Sequence, residues 1–583
     1  MYRARALAAA SAAAMVAAGL TGLATTATAA PTTAAASGAS SSWLVLADRA
    51  ASTARLVSQL KAAGGTVTGV NEAIGLVSVT SRDARFAAST AKLSGVQGVA
   101  HDVSIGSAPK AGAAAPDPVE KEHVFDRSRA NGTPKGLPAP PPGGDPYDGL
   151  LWGMDMINAP QAHQVERGDN RVTVGVMDTG IDASHPDLAA NVDVAKSRNF
   201  TTDIEAIDGP CEYAGCKDPA TVDNDGHGTH VAGTIGAKLN GMGVSGVAPD
   251  VTLVNVRAGQ DSGYFFLQPV VDALTYSGDI GIDVVNMSFY VDPWLYNCAG
   301  GAPEDSAPAA ADQDVIIAAM NRALTYANGK GVTLVAALGN NHEDLANPRP
   351  DTSSPDYDNP ANPWDDAPYT RTIDNATCVD LPVEGPNVIG TSSVGPSRTK
   401  ADYSNYTTDL TSGEIEVSAP GGWYRDGFGT ATSRTNGNLI LSTAPLNVLQ
   451  ASGEVDKNGN VTKSGRVNGV LKDCGAAKQN CGYYQWLQGT SMASPHAAGV
   501  AALAVSRHGA PDPAGADRGY TLAPATVGQL LQSTATDQPC PAGGVQSYEQ
   551  EGRSAEFTAK CVGTPAFNGF YGAGIVNALG VSR

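Results

Sequence analysis

Basic side chains are scarce in this chain: 583 residues carry 38 Lys and Arg against 58 Asp and Glu, for a formal net charge of −20. A surface so poor in positive charge has little to offer phosphate backbones or anionic lipid, which disfavours nucleic acid and charged membranes as partners. Long apolar runs are also missing. Beyond the N-terminus, none approaches the roughly 20 residues that a membrane span requires. Zinc-ligand spacing is lacking as well, with no H-E-x-x-H and no C-x2-C pair. Cysteine is absent from the N-terminal third. The eight present are Cys211, Cys216, Cys298, Cys378, Cys474, Cys481, Cys540 and Cys561. An even number in an exported chain points to disulfides, although eight cysteines allow about 105 pairings. Nearness in sequence suggests Cys211–Cys216 and Cys474–Cys481, with Cys298–Cys378 and Cys540–Cys561 completing the set.

What is present organises the chain. Arg3 and Arg5 precede an Ala-, Val- and Leu-rich stretch to Leu23, then Ala27-Thr28-Ala29, the pattern of a secretory signal peptide over 1–29. From Trp43 to about Ile105 the predicted order is strand, helix, strand, strand, helix, strand, which suggests a ferredoxin-like α+β sheet. An Ala-, Pro- and Gly-rich stretch over 108–149 reads as linker. The remainder, 150–583, reads as one α/β domain with long inserts at 341–380 and 422–487.

Three segments of this domain carry chemistry. Val172-Thr-Val-Gly-Val-Met-Asp178 is a buried-strand pattern ending in an acid, at the strand end where α/β sheets place ligands. His227 stands at a Gly- and Ala-flanked helix start, and His230 three residues on is accompanied by no H-E-x-x-H and no cysteine ligand spacing, which discounts zinc. Gly489-Thr490-Ser491-Met492-Ala493-Ser494-Pro495-His496 sets a serine where a loop becomes a helix, with unpaired N–H groups and a favourable dipole for a developing oxyanion. A fourth segment, Val332 to Asn340, is an apolar strand ending in Gly339-Asn340.

The order Asp178, His227, Ser491, with these flanking residues, resembles the subtilisin family of serine peptidases. The resemblance implies a mostly parallel sheet with helices on both faces, preceded by a small pro-domain (30–107) that acts as folding aid and intramolecular inhibitor. It implies that Ser491 attacks a peptide carbonyl, His227 moves the proton, Asp178 orients His227, and Asn340 holds the oxyanion. It also implies a substrate pocket walled by Ser288, Phe289 and Tyr290 on one side and Ala336, Ala337, Leu338 and Gly339 on the other. Tyr290 and Leu338 depart from the smaller residues common there. Substrates would be proteins or peptides, met by a secreted monomer needing no cofactor for catalysis. The family often carries structural Ca2+, for which the acidic loops 356–366 and 304–314 are candidates, though they read equally as solvated loops. A narrow processing peptidase, a peptide-trimming exopeptidase and a silent binding protein of the same fold are the alternatives.

Overall fold

The computed structural model describes residues 40–102, 119–126, 137–355, 369–511 and 519–583. The expected signal peptide lies outside them. Among the described residues no helix is long and apolar enough to cross a membrane.

The N-terminal unit has the expected order: β1 (Ser41–Ala47), a helix (Thr53–Ala62), β2 (Thr66–Asn71), β3 (Leu76–Ser81), a short helix (Phe86–Thr90) and β4 (Val96–His101). Its antiparallel sheet runs β2-β3-β1-β4. One face packs on its own helices through Trp43, Val45, Leu56 and Phe86. The other face lays Leu44, Leu46, Leu76 and Ala100 against the main body.

That body is built on seven parallel strands, in the order β13-β12-β10-β8-β5-β7-β6. They are β5 (Thr173–Met177), β6 (Arg198–Asn199), β7 (Thr252–Arg257), β8 (Val284–Met287), β10 (Thr333–Ala337), β12 (Val388–Val394) and β13 (Val417–Pro420). All five residues of β5 and all seven of β12 are buried. β5 is nearly all apolar, as suits a strand covered on both faces, whereas β12 also buries Thr391, Ser392 and Ser393. The helices His227–Gly236 and Thr490–His508 cover one face, with Ala497 to Val505 in its core. The helices Leu267–Ile280 and Ala307–Gly329 cover the other and carry the N-terminal sheet.

That docking also uses polar contacts. Arg322 donates to the carbonyls of Ala47 and Ile74, both at 2.8 Å. Asn71 donates to Asp272 at 2.8 Å and Thr275 at 2.9 Å, and Ser78 to Gln268 at 2.9 Å. The His101 backbone N–H donates to Asp312 at 2.8 Å.

Two described parts of the stretch read as linker are packed rather than loose. Asp148 accepts from Ser245 N and Oγ at 2.8 and 2.7 Å, and Asp145 accepts from Gly241 N at 2.6 Å. Residues 119–126 reach the cleft described below. Composition alone marks such a segment as unable to build its own core, but not as unable to dock on another.

The insert 422–487 folds into a three-stranded sheet, β14 (Ile440–Ala444), β15 (Leu471–Asp473) and β16 (Gly482–Leu487). Ser442 and Thr443 donate to the carbonyls of His230 and Thr229, so the insert backs the His227 helix. All four suggested disulfides are formed. Cys298–Cys378 joins the two-residue strands β9 (Asn297–Cys298) and β11 (Cys378–Val379) across 80 residues. In the chain-entropy picture a loop of that size contributes about 4–5 kcal/mol, against about 2 kcal/mol for the bridge between Cys211 and Cys216.

Candidate active site

Asp178 ends β5 and is fully buried. Its Oδ1 accepts from Thr179 N at 2.8 Å and lies 2.7 Å from His227 Nδ1. The approach is made possible by Gly228, where a Cβ would fall 2.2 Å from the Gly180 carbonyl. Asp223 locks the same junction. It accepts from Thr229 N and Oγ1 at 2.9 and 2.6 Å, and from Thr179 Oγ1 at 3.1 Å. The first turn of the histidine helix is therefore tied to the end of β5. His230 is not part of the site: its Nε2 meets the Ile440 carbonyl at 3.1 Å, and burial drives its pKa down to about 3.

Ser491 opens the helix Thr490–His508. Its Oγ lies 3.3 Å from the Ser288 carbonyl, and Ser288 Oγ returns a bond to the Ser491 carbonyl at 3.0 Å. Strand β8 thus holds the start of the serine helix. Asn340 Oδ1 accepts from Thr490 N and Oγ1, both at 2.9 Å. This turns its amide nitrogen toward Gly489, where a Cβ would sit 3.4 Å from Asn340 Nδ2 at a φ of +150°. A glycine there relieves both the backbone and the crowding. His227, Asn340 and Ser491 line one cleft of about 370 Å3, with Asp178 behind His227.

Glu120 was not singled out by the sequence, which sets it in a Pro- and Ala-rich stretch with no signal for a site. Its carboxylate lies 3.3 Å from His227 Nε2. Burial would raise the Glu120 pKa, but the His227 charge and hydrogen bonds from His227 and Ser491 bring it below the ordinary value. Burial likewise opposes the charge on His227, yet Asp178 on one ring nitrogen and Glu120 on the other hold its pKa well above the usual range.

The segment around Glu120 is clasped by charge. Gln488 donates to the Val119 carbonyl at 2.8 Å, and Gln488 N to the Glu120 carbonyl at 3.3 Å. Arg425 Nε donates to Glu122 at 2.6 Å, Arg553 lies 3.4 Å from Glu122, and Arg434 lies 3.2 Å from Asp126.

The expected pocket walls are met in part. Ser288, Phe289, Tyr290, Ala337 and Gly339 line the cleft. Ala336 and Leu338 instead are fully buried in the core. Successive side chains of a strand point to opposite faces, so only alternate residues of 336–339 can face substrate. Leu338 therefore does not narrow the cleft. Phe289 stacks on Phe265 with ring centres 4.0 Å apart. Asp380 and Asp292 also line the cleft, and the sequence reading named neither as a site residue.

Of the two acidic loops, 356–366 lies outside the described residues. In 304–314 the acids are occupied by the protein. Asp305 accepts from Arg371 Nε at 2.9 Å and Tyr369 at 2.7 Å, Glu304 from Thr372 N at 2.8 Å, and Asp312 from His101. A group that could hold a cation lies elsewhere among the described residues: Asp203, Asp218 and Asp261 offer ligand atoms within 4.8 Å of one another. Both carboxylate oxygens of buried Asp203 and Oδ1 of Asp218 have no hydrogen-bond partner among the described residues, although Arg257 supplies one positive charge nearby.

Set against known proteins, the subtilase family pattern matches residues 169–574. The chain belongs to this family, the subtilisin-type serine peptidases. It is 26% identical to subtilisin DY of Bacillus licheniformis over 387 residues, 66% of this chain and 91% of that protein. It is 28% identical to a thermostable alkaline protease of Halalkalibacterium halodurans over 357 residues, 61% of this chain and 63% of that one. Among solved structures, the epidermin leader peptide processing serine protease of Staphylococcus aureus superposes with a TM-score of 0.57 at 17% identity, covering 93% of this chain and 99% of that one. At that identity the likeness concerns the fold.

Proposed function

We propose that this is an exported serine endopeptidase, made as a zymogen, that hydrolyses peptide bonds through an acyl-enzyme. The observation that carries this reading is His227, hydrogen-bonded to buried Asp178 through Nδ1, its Nε2 meeting Glu120, which also hydrogen-bonds Ser491 in the same cleft. In this reading His227 takes the Ser491 proton as Oγ attacks the carbonyl and returns it to the leaving amine, while Asp178 orients the ring. Asn340 Nδ2 and the Ser491 N–H receive the oxyanion.

The same geometry supports a latent precursor. Between two carboxylates His227 remains protonated and cannot act as base, and Glu120 fills the place of the scissile group. Activation then means withdrawal of residues 119–126, with the unit 30–107 as the pro-domain that precedes them. Structural Ca2+, where bound, would be held by Asp203, Asp218 and Asp261. Excess CaCl2 should raise the thermal midpoint of the wild type and leave Asp203→Asn unmoved. An equal rise in both would remove this site.

Labelling by a serine-directed phosphonate, followed by active-site-titrated kinetics on a peptide amide, tests the roles. Asn340→Ala should lower kcat by ~10²–10³ with little change in KM, a magnitude carried over from subtilisin. A folded Asn340→Ala enzyme with near-normal kcat would take Asn340 out of the mechanism. Absence of labelling in the activated wild type would favour a silent binding protein.

A further inference from the structure

The carboxyl groups of Asp305 and Asp380 are both buried but differently resolved. Asp305 is met by Arg371, Tyr369 and Gln313. Asp380, only 3% exposed, has no side-chain hydrogen bond and no ion pair among the described residues. Among the described residues no positive charge acts on it. Arg371 is committed to Asp305 and Asp351, and Arg349 to Glu343. Glu384, which accepts from Asp380 N at 2.5 Å, adds a second acid. Asp292, also on the cleft, is held by the Phe265 backbone N–H.

Asp380 is fixed at the cleft by three links. It follows β11, whose Cys378 is bonded to Cys298 in β9. The next residue, Leu381, accepts from Val291 N at 2.8 Å, directly after the Tyr290 wall. Strand β12 beyond it lies beside β10, which supplies Ala337. A buried carboxylate without a partner is costly, and one facing a substrate cleft invites a cation from the ligand.

We propose that Asp380 makes this peptidase select lysine or arginine as the substrate residue whose carbonyl Ser491 attacks. The inference rests on the peptidase reading above and deepens it to a substrate class. The same burial pushes the pKa of Asp380 up to about 8.

The test is a series of peptide amides differing only at that residue (Lys, Arg, Gln, Leu, Phe), cleaved by the activated full-length chain after titration with the phosphonate. We expect kcat/KM for Lys or Arg to exceed that for Gln by about 10²-fold, and Asp380→Asn to erase the difference while Leu and Phe change by less than about threefold. Equal rates across the wild-type series would overturn the inference while leaving the peptidase reading intact. So would a uniform loss for every substrate in Asp380→Asn. Should that variant fail to fold, the wild-type series decides by itself. Neither labelling nor hydrolysis would remove the peptidase reading and the inference together.

Discussion

Among the described residues, the small N-terminal sheet and residues 119–126 touch the body through contrasting chemistry. The small sheet lies on the helices Leu267–Ile280 and Ala307–Gly329 through Leu44, Leu46 and Leu76, with hydrogen bonds at its edge. Residues 119–126 bury little apolar surface and are held by Glu122 and Asp126 against three arginines. Apolar contact is broad and indifferent to salt, whereas ion pairs at a partly open surface weaken as salt or pH changes. The first contact can bring the chain to the cleft and keep it there. Only the second reaches His227, so in the latent-precursor reading proposed above affinity and blockade would be separate jobs.

The largest effect should come from stopping the chemistry while leaving both contacts whole. Ser491→Ala should lower activity by about 10⁶-fold, the scale of the same loss in subtilisin, and accumulate as a precursor retaining residues from about Ala30. Normal trimming of that purified variant, with no other protease present, would sink self-processing.

Next comes a crossed pair. Glu120→Gln keeps the size of the side chain but frees His227 from its second carboxylate, and should shorten the lag before activity about tenfold. Arg322→Ala removes the bonds to Ala47 and Ile74 and should speed release of the small unit on gel filtration by a similar factor, while leaving the unprocessed chain blocked. If either variant produced both effects, the division of labour would be wrong.

The smallest effect concerns pH. Glu120, held below its usual pKa, loses its pairing as pH falls through that depressed value. His227, held well above its own, loses its charge as pH rises through the raised value. Asp178, Asp225, Lys121 and Ser491 are the other polar groups around this pair. Blockade is therefore full between the two values, a window that includes neutrality, and activation of the precursor should be slowest there and a few-fold faster on either side. A rate that changed in one direction across the whole range would contradict this, as would the same trough in Glu120→Gln.

How much was legible followed from what each feature depends on. The strand of Asp178, the helix starts of His227 and Ser491, and the small four-stranded unit are local patterns, and the structure has them within a few residues. Ala336 and Leu338 failed because they depend on more than local pattern. A motif says that a strand borders the cleft, but only register says which alternate residues face it. Glu120 and Asp380 were invisible because each matters through contacts at long sequence separation, Glu120 with His227 and Asp380 with the wall that ends at Tyr290. Nothing within ten residues of either announces that.

The bridge between Cys298 and Cys378 ends two positions before Asp380, and so it acquires a meaning beyond stability. Seen as a hinge pin, it fixes where the acidic floor stands relative to the wall that runs from Ser288 to Val291. If Asp380 selects lysine or arginine as proposed, that selectivity belongs to the oxidised chain. A reduced molecule with Asp178, His227 and Ser491 still aligned would cut, but with its floor adrift, and the same peptide series run under mild reductant would register the change as a narrowing gap between lysine and glutamine.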